Sequence, residues 1–210
     1  FDMAVHDLIK EYMTAHQRII FNGDGYSDEW VKEAERRGLP NIRCMIDAAG
    51  TLTTEKSVRL FEKFGIFTKA ELISREEIIY ETYAKTLNIE ALTMINMANK
   101  KIIPAVIRYS KSLADTVIAV KDAGADASVQ RDILNTVSSK LITAKNALLR
   151  LEEATAQAGT IKSAKDKAFF YKDTVKVEMD ALRKPVDELE LVVDKSMWPM
   201  PTYGDLTFEV

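Results

Sequence analysis

Four groups of residues in this 210-residue chain have types and spacings that could do chemistry: the glycine turn Asn22-Gly23-Asp24-Gly25, the histidines His6 and His16, the pairs Glu76-Glu77 and Glu152-Glu153, and the thiol of Cys44. A turn with two glycines invites a phosphate or calcium loop. The phosphate fingerprint wants a third glycine where Asp28 stands, and a carboxylate there would repel a phosphate. A calcium loop opening at Asn22 would want an oxygen ligand where Tyr26 stands and a glycine where Ser27 stands. The residues fit a plain turn, whose Gly and Asn permit left-handed backbone. A contact with a catalytic portion or a neighbouring subunit is the other use open to this loop.

The remaining groups read more simply. His6 and His16 lie ten residues apart, on different turns and not on one face as a metal pair requires. Adjacent carboxylates on a helix point in different directions, so both Glu pairs fit solvated faces better than a general acid and base. Cys44 has no base near it in sequence and is expected to pack rather than react. As a lone cysteine it excludes an intrachain disulfide and is compatible with a reducing cytoplasm. Accordingly no catalytic, cofactor-binding or metal residue is assigned in this chain. Met94 and Met97, beside Ile95, Ile102 and Ile103, are expected in the core, an adaptable partner surface being the second reading. Tyr80, Tyr83 and Tyr109 allow the same two readings, and Trp198 is expected to anchor the tail.

Composition bounds what these residues can serve. With 47% apolar residues the chain can bury a sizeable core. Its 29 basic and 32 acidic residues leave a net charge of -3, which gives no electrostatic reason to expect nucleic acid. Charges interrupt every apolar run well short of a membrane span. No signal peptide is visible. The expectation is a cytoplasmic protein with neither membrane nor nucleic acid as partner.

The elements that must position the residues follow from periodicity. Val5, Leu8, Ile9 and Met13 predict an amphipathic helix over 1–18, and Ile19-Ile20-Phe21 then runs into the glycine turn. Ser27 should cap a helix over 28–37 with Gly38 past its end. Residues 40–51 read as a connector, followed by a helix over 53–64 that ends at Gly65. Thr68-Lys69-Ala70-Glu71 is a capping box, with Phe67 and Leu72 placed as its hydrophobic staple. From there an apolar pattern runs to Ala123, broken only by Pro104, where a kink is expected.

Three apolar stripes follow: Ile95, Ile102, Val106, Tyr109, Leu113, Val117 and Val120; then Leu134, Val137, Leu141, Ala144, Leu148 and Leu151; then Ile161, Ala164, Ala168, Tyr171, Val175, Leu182, Val186, Leu189 and Val193. Connections at Gly124-Ala125-Asp126 and Gly159 would fold the stripes antiparallel, in arms on the order of 45 Å long. Pro185 is expected to bend the last arm or start a fresh helix at Val186. After Met197 two prolines and Gly204 argue against helix, and Leu206, Phe208 and Val210 alternate with polar residues as in a strand.

The predicted fold is therefore all-α: a long antiparallel helical bundle over 67–196, a short N-terminal helical and loop segment over 1–66, and an extended C-terminal tail over 197–210. Because the chain opens at Phe1 inside a helical pattern, the expectation is a piece of a longer protein whose missing part is N-terminal.

Two non-helical stretches carry a further reading. Ile20 to Trp30, with the sequence Ile-Phe-Asn-Gly-Asp-Gly-Tyr-Ser-Asp-Glu-Trp, and Trp198 to Val210, with Trp-Pro-Met-Pro-Thr-Tyr-Gly-Asp-Leu-Thr-Phe-Glu-Val, resemble the C-terminal region of type III glutamine synthetase. Phe61-Glu62-Lys63-Phe64-Gly65-Ile66-Phe67 and Asn88-Ile89-Glu90-Ala91-Leu92-Thr93-Met94 resemble it in the same order, so the likeness spans nearly the whole chain. The resemblance implies a parent ligase that joins glutamate and ammonia through a γ-glutamyl phosphate, using ATP and divalent Mg or Mn held mainly by glutamates in a β-rich catalytic domain. No motif of that domain matches here, so no residue role carries over. The segment alone is expected to hold no cofactor and to be inactive, serving oligomer assembly or regulation. Its implied partners are the catalytic domain of the same chain and neighbouring subunits of a homo-oligomer. The alternative is a stand-alone helical module for protein interaction or sensing.

Overall fold

The computed structural model describes residues 1–20 and 22–208, apart from the side chain of Tyr203. Phe21, Glu209 and Val210 lie outside the described residues, and with them one end of the apolar run at 19–21 and the end of the expected tail strand. Among the described residues all regular structure is helical, as predicted. The chain divides into two compact units, one over Phe1–Ala48 and a larger one from Ala49 onward, so residues 49–66 belong with the bundle.

In the first unit α1 (Asp2–Ala15) is followed by a short 3-10 turn at Gln17–Ile19 and by α2 (Asp28–Arg36). Ser27 caps α2 as expected, its hydroxyl accepting from the Trp30 N–H at 3.2 Å. The end of α2 is tied back by Arg37, whose Nη1 donates to the carbonyls of Ile20 at 2.7 Å and Arg18 at 3.2 Å. The 40–51 connector also contains a five-residue helix, α3 (Met45–Ala49).

The larger unit begins with α4 (Glu55–Lys63), stopped by Gly65 at φ +64°, a conformation that costs glycine nothing. The capping box of Thr68 and Glu71 then opens α5 (Lys69–Met97), with both reciprocal bonds formed. Phe67 stacks on Phe61, with centroids 5.6 Å apart, and Arg75 lies 4.2 Å over the Phe67 ring. This folds α4 onto the first turns of α5.

Just before Pro104, where a kink is expected, the helix widens. A π-helical segment, Ala98–Ile102, joins α5 to α6 (Ile103–Asp122), and the Ile103 N–H reaches the Ala98 carbonyl. A wide turn accommodates a residue that lacks an N–H without breaking the rod. The first arm therefore runs on through α5 and α6 for roughly 80 Å at 1.5 Å per residue, longer than expected. Gly124, at φ +77°, ends it, and Asp126 turns the chain by accepting from the Ser128 N–H at 3.0 Å.

The second arm is α7 (Ser128–Thr160), which keeps Gly159 inside its last turn. The turn falls at 161–163, where Ser163 caps α8 (Ala164–Phe170) through the Asp166 N–H at 3.2 Å. A second π-helical segment, Tyr171–Val175, leads into α9 (Lys176–Glu190). No fresh helix starts at Val186: α9 passes through Pro185, whose buried ring offsets the lost backbone bond.

The three predicted stripes meet in one core. Val106, Val137, Leu148, Leu151, Val175 and Leu189 are fully shielded, and no stripe residue is exposed. α7 packs against α6, α9 and α5, and α5 also packs on α8. Two ion pairs set the register of the last hairpin, Lys140 to Glu188 at 2.6 Å and Arg150 to Glu178 at 2.9 Å. Ten residues up α7 correspond to ten down α9, as antiparallel packing demands.

The tail departs from expectation. Residues 203–208 form a short helix, α10 (Tyr203–Phe208), rather than an extended strand. The Thr202 hydroxyl accepts from the Asp205 N–H at 3.3 Å, and the Asp205 carboxylate accepts from the Thr202 N–H at 2.8 Å. Asp205 also pairs with Lys195, and these partners hold its carboxyl well below the usual range. This reciprocal cap outweighs the alternation of Leu206 and Phe208, both of which stay exposed. Trp198 is buried in the bundle core, as an anchor should be.

Leu148 and Leu149 provide a direct test of the core, since the first is fully buried and the second is half exposed. Leu148→Ala should cost about 2–5 kcal/mol in denaturant unfolding and Leu149→Ala well under half of that. Equal losses would contradict the packing described.

Candidate interaction surface

Two surfaces present more apolar area than their own unit covers. On α1 no residue is buried, yet Val5, Leu8, Ile9, Tyr12 and Met13 recur at helical spacing along one face. A helix this amphipathic has its apolar stripe on the outside. In the larger unit a set of large aliphatics faces away from the core, including Ile89 (65% exposed), Ile118 (59%) and Ile142 (63%). The stripes that sequence periodicity identified are the inward ones. These outward residues sit between them, where periodicity alone assigns no partner.

The residues singled out for chemistry are dispersed. Asp24 closes the glycine turn on itself, its carboxylate accepting from the Tyr26 N–H at 2.9 Å while its carbonyl accepts from the Ser27 hydroxyl at 3.0 Å. The loop thus presents a carboxylate and an exposed Tyr26 ring, not a row of free amides, and does not fit a nucleotide phosphate. His6 bonds to Asp7 at 3.2 Å, and His16 sits edge-on to Tyr12 with centroids 6.2 Å apart. The Cys44 carbonyl accepts from the Asp47 and Ala48 N–H groups at the start of α3. Among the described residues no three His, Cys, Asp or Glu side chains converge on a point that could hold a metal ion.

The Glu pairs do structural work that adjacency concealed. Glu76 accepts from Thr53 Oγ1 at 2.5 Å and from the Tyr80 hydroxyl at 3.0 Å, tying the chain before α4 to α5. Glu77 is exposed. Glu152 accepts from Asn99 at 2.7 Å, linking α7 to the first π segment. The sequence signal for Glu76 was its i,i+4 spacing to Tyr80. Tyr80 is itself buried, and burial first, then the Glu76 carboxylate, push its phenol up to about 12. In the first unit Glu33 takes hydrogen bonds from Arg36 and Arg37, which pull its carboxyl down to about 2. Met94 and Met97 are half-buried, and Met94 packs on the core.

What these arrangements define is a helical domain: clasps that fix its own register, and apolar faces left outward. The chain belongs to the glutamine synthetase C-terminal domain family, whose model matches residues 4–121. It is 36% identical over 208 residues to a glutamine synthetase of Butyrivibrio fibrisolvens, 98% of this chain and 30% of that protein. A type-3 glutamine synthetase of Dictyostelium discoideum is 31% identical over 98% of the chain and 29% of its own length. A glutamine synthetase of Bacteroides fragilis is 30% identical over 99% of the chain and 29% of the relative. The chain thus spans less than a third of the relatives it matches, and the expected membership of the glutamine synthetase family is shown. No helix among the described residues is long and apolar enough to cross a membrane.

The raised Tyr80 phenol has a pH signature. Because its folded pKa lies above the ordinary value of 10, its contribution to stability is intact below pH 10 and lost as pH rises toward 12. Alkaline titration by phenolate absorbance should show a transition near 12 that Tyr80→Phe lacks, and the variant should lose about 1 kcal/mol at neutral pH. A wild-type titration complete near pH 10 would contradict the Glu76 clasp.

Proposed function

We propose that this chain is the assembly domain of a type III glutamine synthetase, an ATP-dependent ligase that makes glutamine from glutamate and ammonia. The observation that carries the reading is the unburied apolar face of α1 together with the outward aliphatics of the long arms, in a chain matching under a third of its relatives. Apolar faces of this kind need cover from another body of protein. The catalytic portion of the same protein and neighbouring subunits of a homo-oligomer are the partners that the family supplies. ATP and the divalent Mg or Mn belong with the catalytic portion, and the cytoplasm is the compartment where that chemistry and an unpaired Cys44 are compatible.

Ile89→Asp, Ile118→Asp and Ile142→Asp place charges on outward positions that no core contact needs. In the intact protein at least one should shift the sedimentation profile to smaller species with helical content unchanged, because a buried unpaired charge costs several kcal/mol at an interface. An unaltered profile for all three would remove the long arms as the assembly surface. Glutamine formation by residues 1–210 alone would overturn the accessory role itself.

A further inference from the structure

Between α5 and the turn joining α7 to α8, the bundle holds a cavity of about 360 Å³. Its floor is Ala84, Asn88 and Tyr171, and its rim carries Lys85, Lys162 and Lys167 with a single acid, Glu81. That volume lies at the small end of metabolite sites and is too small for a folded segment of protein.

Charge on the rim is unbalanced. Lys85 is neutralised by Glu81 at 2.7 Å. Lys167 also acts on the Glu81 carboxylate, which Lys85 first and then Lys167 hold below its usual range, so the rim carries three ammonium groups against one acid although the chain as a whole is acidic. Ammonium groups in excess of the one acid around a concavity favour an anion placed among them. The floor adds a third donor. Tyr171, 3% exposed, donates its hydroxyl to Asn88 Oδ1 at 2.9 Å, which engages the oxygen of this lining residue and leaves its NH2 group as the donor end.

The backbone is specialised at the same place. Tyr171 is the first residue of the second π-helical segment, and no proline accounts for the widening there. Such single widened turns re-aim a side chain at a cost in backbone geometry, and they recur at functional sites. Gly159, which also lines the cavity, has open space where a Cβ would stand.

We propose that this cavity binds a small organic dianion, a phosphate monoester or a short dicarboxylate, held between Lys162 and Lys167 with the Asn88 amide as third donor. Lysine suits either group because it acts as a point charge rather than a planar fork. A bound dianion would fasten the 161–163 turn to α5 and so stiffen the junction of the second and third arms. The site is independent of the assembly reading and stands or falls without it.

Limited acylation of lysines in the intact protein, read by peptide mass spectrometry, resolves the site from any other anion site. Lys165, exposed and outside the cavity, is the internal reference. The probes are glycerol 3-phosphate and adenosine monophosphate on one side and succinate on the other, each at millimolar concentration. At least one should slow acylation of Lys162 and Lys167 severalfold relative to Lys165. Protection by the phosphates alone or by succinate alone assigns the acid, and protection by both assigns any dianion of that size. Asn88→Asp, which exchanges a donor for a repelling charge, should abolish the protection with helicity retained. Equal rates at all three lysines with every probe, or protection that survives Asn88→Asp, would overturn the site.

Discussion

The larger unit depends on α7 burying more than one face along its length. It packs along the first arm, through α6 and α5, and against α9 as well, so a single apolar stripe cannot serve it. The sequence answers with small residues beside large ones: Ala144, Ala147, Ala154 and Ala158 are buried along with Val137, Leu148 and Leu151. Alanine lets neighbouring helices approach closely, and the leucines fill the wider layers between. Thr155, the buried polar residue of this helix, satisfies its hydroxyl on the Leu151 carbonyl at 2.7 Å. With α7 held on several sides, its flanking arms have little freedom to slide.

Polar clasps then choose one register among those the apolar packing would tolerate. Lys140 and Arg150 reach Glu188 and Glu178 across the α7–α9 seam, while Glu152 receives Asn99 from the first arm. These partly exposed pairs contribute little stability individually. Their value is specific: a slip of one turn would separate every pair at once, whereas the leucine layers would find new neighbours. The two π segments fit the same logic. Each inserts extra backbone into a long rod, re-phasing its apolar stripe against α7, and Ala98, Ile102, Tyr171 and Val175 at their ends are all buried.

Periodicity made the arms legible because each stripe keeps a helical step over several turns, and the caps at Ser27 and Thr68 were legible because hydroxyl-to-backbone bonding is local. What escaped was decided by local bonds of unfamiliar form or by tertiary contact. The tail read as a strand because Leu206 and Phe208 alternate, yet Thr202 and Asp205 are a cap with Asp in place of Glu. Gly159 looked like a break, but Ser163 a few residues later supplies a bonded start that a glycine cannot. The second π segment has no breaker to announce it. Glu76 looked solvated because its two donors lie 23 residues back and four ahead, and only folding brings Thr53 to it. The surface and the lysine cavity were less legible still, since both consist of residues that the core pattern leaves over.

The residues that the core leaves over have a cost of their own. A bundle selected only to fold could place charges at Ile89 and Ile118 without disturbing a core contact. Instead the arm keeps bulky aliphatics outward, which raises the risk of aggregation for a free domain. That arrangement is stable for a chain that is covered in its assembled state. In the first unit the same reasoning applies to α1, where Arg37 spends three hydrogen bonds fixing the segment after the helix while the helix itself buries nothing. Fixing the exit of an amphipathic helix sets the direction that its apolar face takes within the unit. For the association proposed above, such preset geometry would lower the ordering cost.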